Sequence, residues 1–223
     1  MPSLKTIFRI LTFRAKREEL AQNPLAVLAI AIVITWLVGI GRWWDDPREL
    51  PFFVRLGAGS VIYVFAMSLL LWILANPIAK AKLPYWAFAA FVASTSLPGL
   101  VYAVPMEQWT DLETTAAYNV WALVFVSAYR ISLLFWFYIR VLKLKVDQAL
   151  VVTGLPISAI AIVLTSLGHG ASILDIMGGF RDRMSKTDME MAVGLIGCVS
   201  WIIAPVCVFI YIGVFAHARK NAD

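Results

Sequence analysis

Six apolar runs, each close to the length of a bilayer crossing, dominate this sequence: residues 24–41, 56–78, 84–104, 116–142, 149–167 and 192–216. About 20 helical residues cover the hydrocarbon core. A segment in lipid must satisfy its own backbone, which leaves helices or a closed barrel. The ten-residue alternation of barrel strands is not seen. The expected fold is therefore an all-α integral membrane protein, a bundle of six transmembrane helices. Five is the alternative if residues 168–190 rearrange the end. That stretch contains "ASILDIMGGF", which is too short to span and reads as interfacial or re-entrant.

The chain has 223 residues, of which 61% are apolar and 15% charged. Soluble domains carry about 25% charged residues. Residues 24–216 are read as one membrane domain, preceded by a segment 1–23 and followed by a tail 217–223. The net charge of +5 is not read as a nucleic-acid footprint, because the cations sit in short loops where they set orientation. Of the 19 lysines and arginines, Arg42, Arg48, Arg55, Arg181, Arg183 and Lys186 fall on one side, Arg130 lies within a run, and the rest fall on the other side. That bias places both termini in the cytoplasm. The expected location is the inner (plasma) membrane of a bacterium.

Local signals mark the helix ends. Asn23-Pro24 offers a cap followed by proline at the first helical position. Thr110 with Glu113, and Thr187 with Glu190, have capping-box spacing, and Asp147 is a candidate cap for the fifth run. The first run is not expected to be a cleaved signal, since "GRWWDDPREL" lacks a small-x-small site. Trp43 and Trp44 read as interfacial anchors.

Residues 4–22 form a basic amphipathic segment. Leu4, Ile7, Phe8 and Leu11 share one helical face, with Lys5, Arg9, Lys16 and Arg17 mostly elsewhere. Such a helix suits an anionic lipid surface, and it equally suits a plain positive flank.

Arg130 is the residue that composition does not explain. It lies within the fourth run, within about 3 Å of its centre at 1.5 Å per residue. A charge there costs about 2.5–3.5 kcal/mol on insertion scales. No aspartate or glutamate lies inside any run, so neutral oxygens are the expected partners. Pro98, Pro156 and Pro205 sit near mid-helix, and each frees the carbonyl four residues earlier, those of Ser94, Val152 and Trp201. "ASTSLPG" sets Ser94, Thr95 and Ser96 beside the first break. Asn119, Ser127 and Arg130 share a helical face, expected to point into the bundle. These six residues are the candidate intramembrane polar site. It is either an interhelical staple or a site for an anionic or amphipathic solute.

Catalytic signatures are not found: the sequence has no H-E-x-x-H, no G-x-S-x-G and no intramembrane aspartate pair. Neither a cofactor nor a metal is expected. His169 near Asp175, and the acids Glu107, Asp111 and Glu113, read as surface groups. Cys198 and Cys207 are nine residues apart and face opposite sides of one helix, so they are expected to stay free.

At "RILTFRAKREELAQNPLAVLAIAI" and "AFAAFVASTSLPGLVYAVP" the chain resembles the Yip family of Ypt/Rab-interacting polytopic membrane proteins, in its short bacterial form. The order of parts is similar over residues 5–167: a basic amphipathic lead, a third helix ending in Ser-Leu-Pro, and a long fourth helix followed by the basic turn "RVLKLKVDQAL". The D-L-Y-G-P motif of eukaryotic members is missing, and a sixth helix follows the usual five. The resemblance implies a non-enzymatic scaffold or adaptor organising membrane or lipid. Partners expected are the bilayer, anionic lipid at the N-terminal segment, an unspecified protein, and a second copy of the chain. The alternative is a small transporter or channel with Arg130 at its site.

Overall fold

The computed structural model describes residues 2–41, 52–104, 106, 109–167 and 186–220, and every regular element among them is helical. Five helices are long and apolar enough to cross a membrane: α3 (Pro24–Gly41), α5 (Ala58–Ala75), α7 (Leu112–Trp136), α8 (Val146–Ser166) and α9 (Lys186–Lys220). Four short helices accompany them: α1 (Pro2–Leu11), α2 (Arg17–Gln22), α4 (Phe52–Arg55) and α6 (Tyr85–Ser94). Trp43, Trp44, Glu107, His169 and Asp175, with most of residues 168–190, lie outside the described residues.

The chain divides into two compact units. The first holds residues 1–105 and 128–144, the second 106–127 and 145–223.

In the first unit α6 is the buried centre. It packs against α3 and α5, with α1 and α2 laid across α3 and α6. Every residue from Ala87 to Ser94 is buried. The sequence explains this: Ala87, Ala89, Ala90 and Ala93 let neighbouring backbones come close, while Phe88 and Phe91 fill the remaining space. Phe137 stacks on Phe91 with ring centroids 4.1 Å apart and meets Phe88 edge-on at 5.3 Å. The third apolar run is thus not one long α-helix. Its α-helical part has ten residues and continues through Thr95 and Ser96 into a 3₁₀ helix, Leu97–Ala103.

Glycines set the closest approach. Gly57 takes φ +70, and a Cβ there would lie 2.8 Å from the Gly39 carbonyl carbon and from the Ile40 nitrogen. A Cβ on Gly39 would lie 2.9 Å from the Gly57 oxygen. The start of α5 therefore rests directly on the end of α3, and Trp36 Nε1 donates to the Leu56 carbonyl (2.7 Å) beside that contact.

In the second unit α8 and α9 pack antiparallel along small residues. A Cβ on Gly154 would lie 3.1 Å from Cys207 Sγ, and one on Gly197 would lie 3.1 Å from the Thr165 side chain. Both cysteines are free. Pro156 and Pro205 lie inside their helices, as expected. The outward side of α9 carries Trp201, Ile202, Phe209 and Ile212. A surface of that kind associates in water and is ordinary against lipid.

Three caps differ from the expectation. At α7 the cap is Asp111 rather than Thr110: its Oδ1 accepts from the Thr114 amide and its Oδ2 from the Thr114 hydroxyl, both at 2.9 Å. A carboxylate three residues before that amide is the stronger acceptor. At α8 the Gln148 side chain accepts from the Lys145 amide (3.0 Å), and Asp147 lies in the first turn. The last helix already begins at Lys186, ahead of Thr187.

Tyr138 is buried, and its hydroxyl has no hydrogen-bond partner among the described residues. A buried orphan hydroxyl costs about 1–3 kcal/mol, and removing it leaves the ring in place. Tyr138→Phe is therefore expected to leave thermal stability in mild detergent unchanged or raised. A clear loss would show that the hydroxyl has a partner.

Candidate functional site

Four of the candidate residues, Ser94, Thr95, Ser96 and Arg130, lie at the break after α6. Two acceptors in its last turns are served by their own neighbourhood: Ser94 Oγ donates to the Ala90 carbonyl and Thr95 Oγ1 to the Val92 carbonyl, both at 2.7 Å. Thr35 of α3 adds a hydroxyl bifurcated between the carbonyls of Ala31 (2.8 Å) and Ala93 (3.2 Å).

The Thr95 carbonyl is different. In α-helical register its donor would be the Gly99 amide, but that amide bonds to Ser96 (2.9 Å). In 3₁₀ register its donor would be residue 98, which is proline and has no N–H. Both local partners are therefore lost. Arg130 Nε donates to this carbonyl at 2.9 Å. The mid-run guanidinium thus caps a broken helix. The sequence points to Ser94 as the freed carbonyl, through the four-residue rule. The structure places the bond one residue later, because the 3₁₀ helix shifts the register from four to three.

Ser94, Thr95 and Ser96 are buried, and Arg130 is half-buried. Asn119 and Ser127 belong to the second unit. Asn119 is half-buried and Ser127 is exposed, so the expectation that Ser127 points inward is corrected. The buried apolar positions of α7 among the described residues are instead Ala122 and Val126 in the second unit and Leu133 in the first. Spacings of four and seven residues make these one apolar stripe, and Ser127 lies beside it.

Next to Arg130, Tyr129 ties α7 to the N-terminal segment. Its hydroxyl donates to the Leu11 carbonyl. Phe13 packs edge-on against Tyr129 (5.7 Å) and Trp136 (6.0 Å). The amphipathic segment is two helices with a turn between them, not one. Thr6, Ile7 and Ile10 form the buried face of α1, while Leu4 and Phe8 are 48% and 65% exposed. The apolar residues of α1 are thus divided between the bundle and its surroundings, rather than sharing one face.

Sequence reasoning assigned Arg14, Arg140 and Lys143 to orientation, and Lys16 and Arg17 also to the amphipathic segment. The structure gathers them at one place. The signal present in the sequence was an aromatic residue ahead of each basic cluster, Phe13 before "RAKR" and Trp136 before "RVLKLK".

Compared with family models, with curated proteins and with solved structures, the chain has no significant match.

Proposed function

We propose that this chain is a non-enzymatic multi-pass protein of the bacterial inner membrane. In this reading it is a Yip-like scaffold that organises lipid or a protein partner, crossing the bilayer six times with both termini cytoplasmic. The observation that carries the proposal is the Arg130–Thr95 hydrogen bond. A guanidinium that caps a broken helix has a structural occupation, whereas a transport site needs a group that can exchange its partner for a solute.

The same break supports the sixth crossing. Ten α-helical residues and seven 3₁₀ residues, placed end to end, rise about 29 Å. The hydrocarbon core is about 30 Å thick. Irregular backbone is tolerated at that depth where protein covers it, and residues 87–96, up to the break, are buried. The exposed Leu4 and Phe8 on α1, beside Lys5, are suited to an anionic leaflet.

Vesicles reconstituted with the protein test the reading. Arg130→Ala is expected to cost about 1–3 kcal/mol of stability, because the Thr95 carbonyl is left without its donor. Pro98→Ala restores an amide that can serve that carbonyl, so the loss should shrink by about 1 kcal/mol in that background. Wild-type vesicles are expected to pass anionic solutes no faster than empty ones. Selective solute flux that Arg130→Ala abolishes while the fold survives would establish the transporter reading instead.

A further inference from the structure

Three separated pieces of the first unit line an open cavity of about 540 Å³: the turn between α1 and α2, the end of α7, and the turn that follows it. Its charged lining is Arg14, Lys16, Arg17, Arg140 and Lys143, with Glu18 as the one carboxylate among the lining residues. Phe13 and Trp136 form its apolar wall. The volume falls within the range of small-molecule sites, about 300–1,000 Å³.

We propose that this cavity binds a phosphate group carried by a small anionic ligand, with the headgroup of an anionic phospholipid and a soluble phosphate ester as the two sources of that chemistry.

The five cations outnumber the single lining carboxylate, Glu18. Among the described residues, the side chains of Arg14, Lys16, Arg140 and Lys143 make no hydrogen bond or ion pair. Arg17 uses one nitrogen on the Lys82 carbonyl (2.9 Å), which fixes its position and leaves its other donors available. The nearby carboxylate of Glu19 is already engaged, by Arg9 and by the Lys16 amide. Five cations around one cavity repel one another, and a multiply charged anion relieves that repulsion. Arginine adds a planar fork that pairs with two phosphate oxygens at once.

The backbone is arranged around the same place. Phe13 and Lys143, one in each turn, are the only non-glycine residues with positive φ among those described, at 58° and 59°. Such conformations are strained and gather at binding sites. Between Trp136 and Lys143 the chain forms a π-helical turn, Phe137–Val141, which carries Arg140. Single π turns inside helices are frequent at functional sites.

Placing the cavity on the cytoplasmic face rests on the topology proposed above, whereas its binding chemistry does not. The full chain is purified in neutral detergent and titrated with three probes: dioctanoyl phosphatidic acid, dioctanoyl phosphatidylcholine and inorganic phosphate. Binding is read by native mass spectrometry and by the shift in melting temperature. Arg140→Gln with Lys143→Asn removes two charges, and asparagine suits the left-handed conformation at 143. Arg55→Gln, in α4 and not a lining residue, is the control. Phosphatidic acid is expected to bind more tightly than phosphatidylcholine, and the cavity variant to weaken it about tenfold or more, with the control unchanged. If inorganic phosphate stabilises the protein and competes with phosphatidic acid, the source is a soluble phosphate ester. If phosphate has no effect, the source is lipid. Equal binding of the two lipids, or undiminished binding by a folded cavity variant, overturns the proposal. Either result leaves the solute-flux test of the scaffold reading unaffected.

Discussion

Gly57→Ala is expected to be the most damaging single-methyl change in the first unit, lowering the melting temperature in detergent and sharply reducing the yield of folded protein. Two costs add. An L-residue at φ +70 gives up about 1–2 kcal/mol to the clash of its Cβ with its own backbone. The new carbon would also sit 2.8 Å from two backbone atoms of α3, at Gly39 and Ile40. Backbone atoms in the middle of a helical contact have no rotamer to retreat into, so the helices must separate. Separation takes the Trp36–Leu56 hydrogen bond with it. Gly39→Ala tests the same contact from the other side without positive φ, and should cost less. By contrast, Gly59→Ala meets nothing within 4 Å, and should be neutral or slightly stabilising. If Gly57→Ala and Gly59→Ala behaved alike, the close contact of α3 and α5 would be wrong.

Phe137→Ala is expected to cost about 3 kcal/mol, the low end of the range for phenylalanine truncation in soluble cores. The low end applies because lipid is as apolar as the protein interior, so much of the transfer term vanishes and the lost packing remains. Phe137 has no exposed surface and touches both phenylalanine rings of α6. Its removal opens a void between α6 and the π-helical turn. Since Ala87 to Ser94 of α6 are all buried, no rearrangement into lipid can fill that void. Phe137→Leu should recover much of the loss. An alanine variant with wild-type stability would mean that α6 is not held by this turn.

The long helices were legible because unbroken apolar runs have one reading in lipid. Pro24 starts α3 where the Asn23-Pro24 pair places it. Arg130 was conspicuous for the same reason, as a charge in a stretch that could not solvate it. Its partner was legible only to within one residue, since the shift from α to 3₁₀ register is a tertiary choice and Pro98 is compatible with either. The shortness of α6 was hidden because its alanines and phenylalanines continue smoothly into "SLPGLVYA". The cavity was not legible at all. Its halves lie more than a hundred residues apart, and each reads alone as an ordinary basic flank. What unites them is Phe13, whose left-handed turn carries its ring to Trp136.

The account depends most on six crossings, with the third made by a short broken helix that Arg130 completes. Topology measures this directly. With Cys198 and Cys207 replaced by alanine, Ser3→Cys and Ala222→Cys are introduced singly and exposed to a membrane-impermeant maleimide in right-side-out and inverted vesicles. Both positions are predicted to react in inverted vesicles alone. Labelling of one terminus from each side would mean an odd number of crossings, and would contradict the account.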